Sequence, residues 1–337
     1  MKMGAHIANI TIASMLLSGI SLDAGDVLSG TNNETHNYSD AVVAGGTNNY
    51  AIGENAFIGG GAYNTVNYLY STICGGSGNS VKIAQYSTIA GGRYNIINKS
   101  GFSFIGGGYG NGIDTHLSAN TISGGYGNGI RGSSYASLIS GGYGNAVIGS
   151  RYSVIAGGYG NQIQADKSFV FGTKAWLYGS GSVLFTDNKD ILRQRSEEKT
   201  FIGIFENGYK LFTDSEGLKS VVLKHGDGSW NMRVGSSHIE NIEDINGSEL
   251  LETLSQVNIY KWNYSLQDDT IKHIGPSAES FNQAFNLNNN DMELINSIDT
   301  DGVALKAIQA LYKKIQKLEE ENTKLKIRLN VIESSMN

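Results

Sequence analysis

The sequence predicts a mainly β protein: a trimeric β-roll or β-solenoid body, then a small α+β domain ending in a parallel coiled coil. Three observations predict it. Glycine makes up 45 of 337 residues beside a single proline. The motif Gly-Gly-x-x-Asn recurs every fifteen to seventeen residues, with its first glycine at 45, 60, 75, 91, 107, 124, 141 and 157. An apolar heptad pattern runs from Ile308 to Ile332.

Glycine at this share without proline excludes collagen and argues against a Pro/Gly-rich disordered chain, which leaves regularly placed turns. A net charge of -6 supplies no broad basic field, so no nucleic-acid partner is expected. The one cysteine, Cys74, stands where other repeats carry Ala, Gly or Ser, and reads as a small packed residue. Residues 1–40 form an N-terminal segment, a signal peptide or an assembly region. No stretch reaches the roughly eighteen apolar residues of a membrane helix, so no membrane span is expected.

The repeat body is set at 41–188. Two residues before each glycine pair stand Val43, Ile58, Ile73, Ile89, Ile105, Ile122, Ile139 and Ile155. Two residues after each asparagine stand Ala51, Val66, Val81, Ile97, Ile113, Ile130, Val147 and Ile163. The second column is flanked mostly by polar or small residues, and each repeat reads as two short half-buried strands. The intervening Gly-Gly-x-x-Asn tolerates positive φ, and its amide can bond backbone or stack in a ladder with the repeats on either side.

Ordering a sixteen-residue turn costs about 16 to 32 kcal/mol of backbone entropy. Two buried aliphatic anchors return about 3 to 6 kcal/mol. Stacked turns and a further buried face are therefore required, and three solenoids around one axis would provide it.

Strings such as Gly124-Gly125-Tyr126-Gly127-Asn128-Gly129 lack a βαβ context and a following Lys-Ser/Thr, so they are turns and not a phosphate loop. Asparagine stands where a calcium β-roll has aspartate, so no repeat-bound calcium is expected. His6, His36, His116, His225 and His273 show no metal-ligand spacing. No cofactor is expected. Tyr126, Tyr143 and Tyr159 are open to two readings, sugar stacking or plain packing.

The pattern Ser153-Val154-Ile155-Ala156-Gly157-Gly158-Tyr159-Gly160-Asn161 is similar to the head repeats of trimeric autotransporter adhesins and to phage tail-fibre repeats, over residues 40 to 188. The resemblance implies a homotrimer presenting a surface to a host receptor or glycan, on a virion or a cell surface.

Residues 189–229 are set as a connecting β-region, since the segment 200 to 230 alternates apolar and polar types with Gly/Asp turns. Near 230 the composition turns charged and helix-forming, giving a domain over 230–300 and a helix over 301–337. In that helix Ile308, Leu311, Ile315, Leu318, Asn322, Leu325, Leu329 and Ile332 form the trimer seam, with Asn322 at an a position where a buried amide fixes register.

Four blocks follow in order: Glu240-Asn241-Ile242; Ile259-Tyr260-Lys261-Trp262; Ile274-Gly275-Pro276-Ser277-Ala278-Glu279-Ser280-Phe281; and Asp301-Gly302-Val303-Ala304-Leu305-Lys306-Ala307-Ile308-Gln309-Ala310-Leu311. They resemble the endosialidase-type C-terminal intramolecular chaperone, a self-cleaving peptidase family of phage tail spikes and fibres. The resemblance implies a domain that trimerises first, templates the fibre upstream and in many members cuts itself off with a serine-lysine dyad.

Aligned without a gap on Ser229-Trp230 and Glu240-Asn241-Ile242, the serine column falls on Val234, the aspartate column on Gly235 and the lysine column on Ile239. Val and Ile supply neither nucleophile nor base, so the expectation is a chaperone domain that stays attached. A slipped alignment brings Ser236 or Ser237 beside His238. Two alternatives stay open: a proprotein that cuts itself near 234–238, and a depolymerase of host glycan.

Overall fold

The computed structural model describes residues 26–27, 29–35, 40–187, 193–215, 220–232, 235, 237 and 239–336. Most of the N-terminal segment read from the sequence lies outside them. The chain divides into two compact units, Met1–Arg233 and Val234–Asn337.

In the first unit the chain passes back and forth between two parallel sheets. A first sheet of twelve strands runs from Asp26–Val27 through Val42–Val43 to Phe201–Ile204, and a second of eleven runs from Glu34–Thr35 to Arg193–Arg195. Strands pair with their equivalents one turn away, Val43 with Ile58 and Ile58 with Ile73, and Val66 with Val81 on the other sheet. The result is a parallel β-solenoid.

Its interior is built from the residue columns that the repeat defines. The aliphatic residues before each glycine pair and after each asparagine are completely buried, and they form one continuous core between the two sheets. The second glycine of each pair makes the corner between strands. Gly125 has φ +93°, and a Cβ there would stand 2.3 Å from the carbonyl oxygen of Gly142 on the next turn. Only glycine allows both the conformation and the approach.

Each asparagine of the motif is buried and fully hydrogen-bonded. Asn128 Nδ2 donates to Gly124 O at 2.9 Å within its turn and to Gly142 O at 3.0 Å on the next. Its Oδ1 accepts the backbone N–H of Asn145 at 3.0 Å. The pattern repeats from Asn49 to Asn161, where Oδ1 accepts from Ala175 N instead.

A second polar column, two residues before the isoleucines, works the same way. Ser87 Oγ accepts Ser103 N, Ser103 Oγ accepts Asn120 N, and Asn120 Oδ1 accepts Ser137 N. Each turn therefore buries more than the two aliphatic anchors counted from the sequence. Part of the stabilisation assigned there to neighbouring chains is supplied within one chain, by polar columns whose groups are all paired.

The sheets extend past the 41–188 body on both sides. Arg193–Arg195 and Phe201–Ile204 join the second and first sheets inside the expected connecting region. Backbone pairing needs an extended strand and not the glycine motif, and Phe201–Ile204 pairs with Val183–Thr186 without it. A three-stranded antiparallel sheet follows, Tyr209–Phe212, Ser220–Leu223 and Asn231–Met232.

The second unit contains α1 (Gly247–Gln256), a hairpin of Tyr260–Trp262 with His273–Gly275, α2 (Ala278–Phe285) and α3 (Ser297–Met336). Side-chain caps fix the helix starts: Asn246 Oδ1 accepts the N–H groups of Ser248 and Glu249, and Ser277 Oγ accepts that of Ser280. Leu250 of α1, Phe281 of α2, and Val303 and Ala307 of α3 make a small core. Gly247 lets α1 lie close on α3, because a Cβ there would stand 2.7 Å from that of Ala310.

Candidate functional site

Helix α3 has two faces with different neighbours. Val303 and Ala307 enter the core with α1 and α2. The heptad residues point elsewhere: Ile308, Leu311, Ile315, Leu318, Leu325, Leu329 and Ile332 are between 47% and 62% exposed, and Asn322 is exposed beside them. Among the described residues the contacts thus use one side of the helix and leave the seam uncovered.

The chaperone-block residues fall into three places. Trp262 and Gly275 share the hairpin, where the Trp262 ring meets Tyr264 edge-on at 4.8 Å and His273 at 4.9 Å. Pro276 precedes the Ser277 cap, and Phe281 lies in the core against Phe285 at 5.0 Å. Glu240, Asn241 and Ile242 stand in an exposed irregular segment ahead of α1, with Asn241 at φ 54°.

Of the positions that the resemblance aligned with a cleavage dyad, Val234 and the substitutes Ser236 and His238 lie outside the described residues. Gly235, Ser237 and Ile239 are exposed. Ile239 carries a hydrocarbon side chain, which cannot act as a base.

Sequence reasoning missed Asn282. It is buried next to Phe281, and its Nδ2 donates to Asp291 O at 2.7 Å and Leu294 O at 2.8 Å, holding the loop before α3. Asp291 stabilises the same loop by accepting the N–H groups of Leu294 and Glu293, each at 2.7 Å. These bonds, that of Leu294 first, hold its carboxyl below the usual aspartate range. Nothing in the local pattern distinguishes a buried asparagine in a short helix from an exposed one.

The tyrosines of the repeats form a ladder on the outside of the solenoid. Tyr109, Tyr126, Tyr143 and Tyr159 stack with centroids 5.0, 4.9 and 5.3 Å apart and planes within 24° of parallel. Inner rings give their faces to each other, so a sugar would meet edges; this favours the packing reading. Tyr70, Tyr86 and Phe102 stack likewise at another corner.

Cys74 departs from the expectation of a packed residue. It follows the buried Ile73, and alternation along the strand turns it outward, where it is exposed. Among the described residues no cluster of His, Cys, Asp and Glu has metal-binding geometry, and no helix is long and apolar enough to cross a membrane. Neither a protein-family model nor a curated protein matches the chain.

Proposed function

We propose that this chain is a homotrimeric, tail-fibre or adhesin-like structural protein of a virion or cell surface. Its C-terminal unit acts as an intramolecular chaperone that gathers and aligns the copies and remains attached. The observation that carries this reading is the uncovered heptad seam of α3. Seven apolar side chains on one stripe of a forty-residue helix would bury little as an isolated chain, whereas a parallel coiled coil covers them and selects strand number through Asn322.

The division of labour has a physical basis. Parallel pairing over many turns forms slowly and exposes strand edges meanwhile. A seam that closes first would hold the copies at high effective concentration while the solenoids complete. The resemblance of the blocks between 229 and 330 supports the same role. The solenoid then serves as a stiff shaft whose outer surface meets a host receptor or glycan.

The test is the mass of the full-length chain in solution with and without residues 297–336. A trimer that becomes insoluble or monomeric without them supports the proposal; a soluble trimer of the same solenoid without them refutes the chaperone role. A denaturing gel checks attachment, since a shortened product restored to full length by Ser236→Ala with Ser237→Ala would show self-cleavage.

A further inference from the structure

We infer that copies of this chain meet on the outer face of the first sheet, while the outer face of the second sheet is turned to solvent. The inference rests on the multi-copy reading above and adds which surface makes the contact.

Side chains alternate across a strand, so the residues flanking each buried aliphatic of the first sheet point outward. Phe57, Thr88, Phe104, Thr121, Leu138 and Val154 precede it, and small residues such as Ala44 and Ala90 follow it. From Val42 to Gly203 these outward positions include no Lys, Arg, Asp or Glu. The second sheet differs, with exposed Lys82, Asp114 and Arg131 on its outer face.

The seam of α3 decides why this difference matters. A parallel seam points all copies the same way and at the same level, so in a cyclic assembly the residues that face the axis lie near their own equivalents. Like charges placed directly opposite are destabilising. Contact through the second sheet would set Lys82 against Lys82 and Arg131 against Arg131. Contact through the first sets phenylalanine against phenylalanine and threonine against threonine.

The size of the face explains why the seam is still needed. From Val42–Val43 to Phe201–Ile204 the sheet has ten spacings of about 4.8 Å, and an outward pair spans about 10 Å, giving a strip of about 500 Å². Stable interfaces bury about 800 Å² per partner. The sheet face contributes to assembly but requires the helices to hold it.

Cys74, the single cysteine, lies on this face and reports on it directly. The full-length chain is first sized by light scattering, then treated with a short homobifunctional maleimide. The control, Cys74→Ser with Asn67→Cys, moves the thiol to an exposed position on the second sheet one strand along. The expected result is covalent oligomers through Cys74 in about hundredfold excess over the control, the advantage of held proximity over chance collision. A chain that is multimeric in solution but cross-links equally through both positions, or not through Cys74, overturns the choice of face and leaves the multi-copy reading standing. A monomeric full-length chain overturns both.

Discussion

Replacing one asparagine of the buried ladder should cost far more than its size suggests. In Asn128→Ala the carbonyl of Gly124 loses its donor and the N–H of Asn145 loses its acceptor, while Gly142 O keeps the N–H of Tyr126 at 2.9 Å. The buried N–H of Asn145 is left without a partner, at about 1 to 3 kcal/mol, and the part-buried carbonyl of Gly124 adds less, so the loss is about 1 to 4 kcal/mol. Asn98→Ala is the reference: its amide bonds Asp114 at 3.0 Å on the exposed outer face, and its removal should cost no more than about 1 kcal/mol. Guanidinium unfolding followed by circular dichroism compares the two, and amide exchange at Asn145 locates the damage.

Asn128→Asp refines the reasoning through pH. The carboxylate keeps an acceptor for Asn145 N–H but faces two carbonyl oxygens, and burial raises its pKa. A raised folded-state pKa means little penalty below the unfolded value of about 3.9, with destabilisation growing as pH rises through the folded value. Stability of this variant should therefore improve on acidification relative to the native chain. Equal losses for Asn128→Ala and Asn98→Ala, or a pH-independent Asn128→Asp, would refute the ladder as a source of stability.

Other outcomes follow from single positions. Gly125→Ala should prevent a well-formed solenoid because its Cβ meets Gly142 O, whereas Gly127→Ala, at φ +64° in open space, should cost only about 1 kcal/mol; soluble yield and thermal midpoint separate them. Phe281→Ala should destabilise the C-terminal unit by about 3 to 5 kcal/mol, read from chemical unfolding, since the ring lies in the core of α1, α2 and α3. Asp291 has a depressed folded-state pKa, so its contribution is present above the unfolded value and is lost as pH falls through the folded one. The amide resonances of Leu294 and Glu293 should titrate below the ordinary aspartate range, and titration at the ordinary value would contradict the two hydrogen bonds.

The sequence alone determined which residues of the solenoid lie inside. The columns headed by Val43 and Ala51 recur once per repeat at fixed distances from the glycine pair and the asparagine, and the in-out alternation of a strand is a local property, so each column is buried in the structure. The corner glycines and the asparagine ladder were legible for the same reason, since turn chemistry acts over a few residues. The unpartnered stripe on α3 was visible as a heptad, and the structure adds that Val303 and Ala307 engage the chain's own core on another side of the helix.

Other features depend on what lies one turn away, and local pattern does not encode that. The serine column became a second ladder only when stacking put Ser87 under Ser103. The tyrosines lost their free faces to one another at 4.9 to 5.3 Å. Cys74 turned outward with its strand, and the sheets ran on to Ile204 without the glycine motif. Periodicity settles whether a side chain faces in or out, and only the register between turns settles what it touches there.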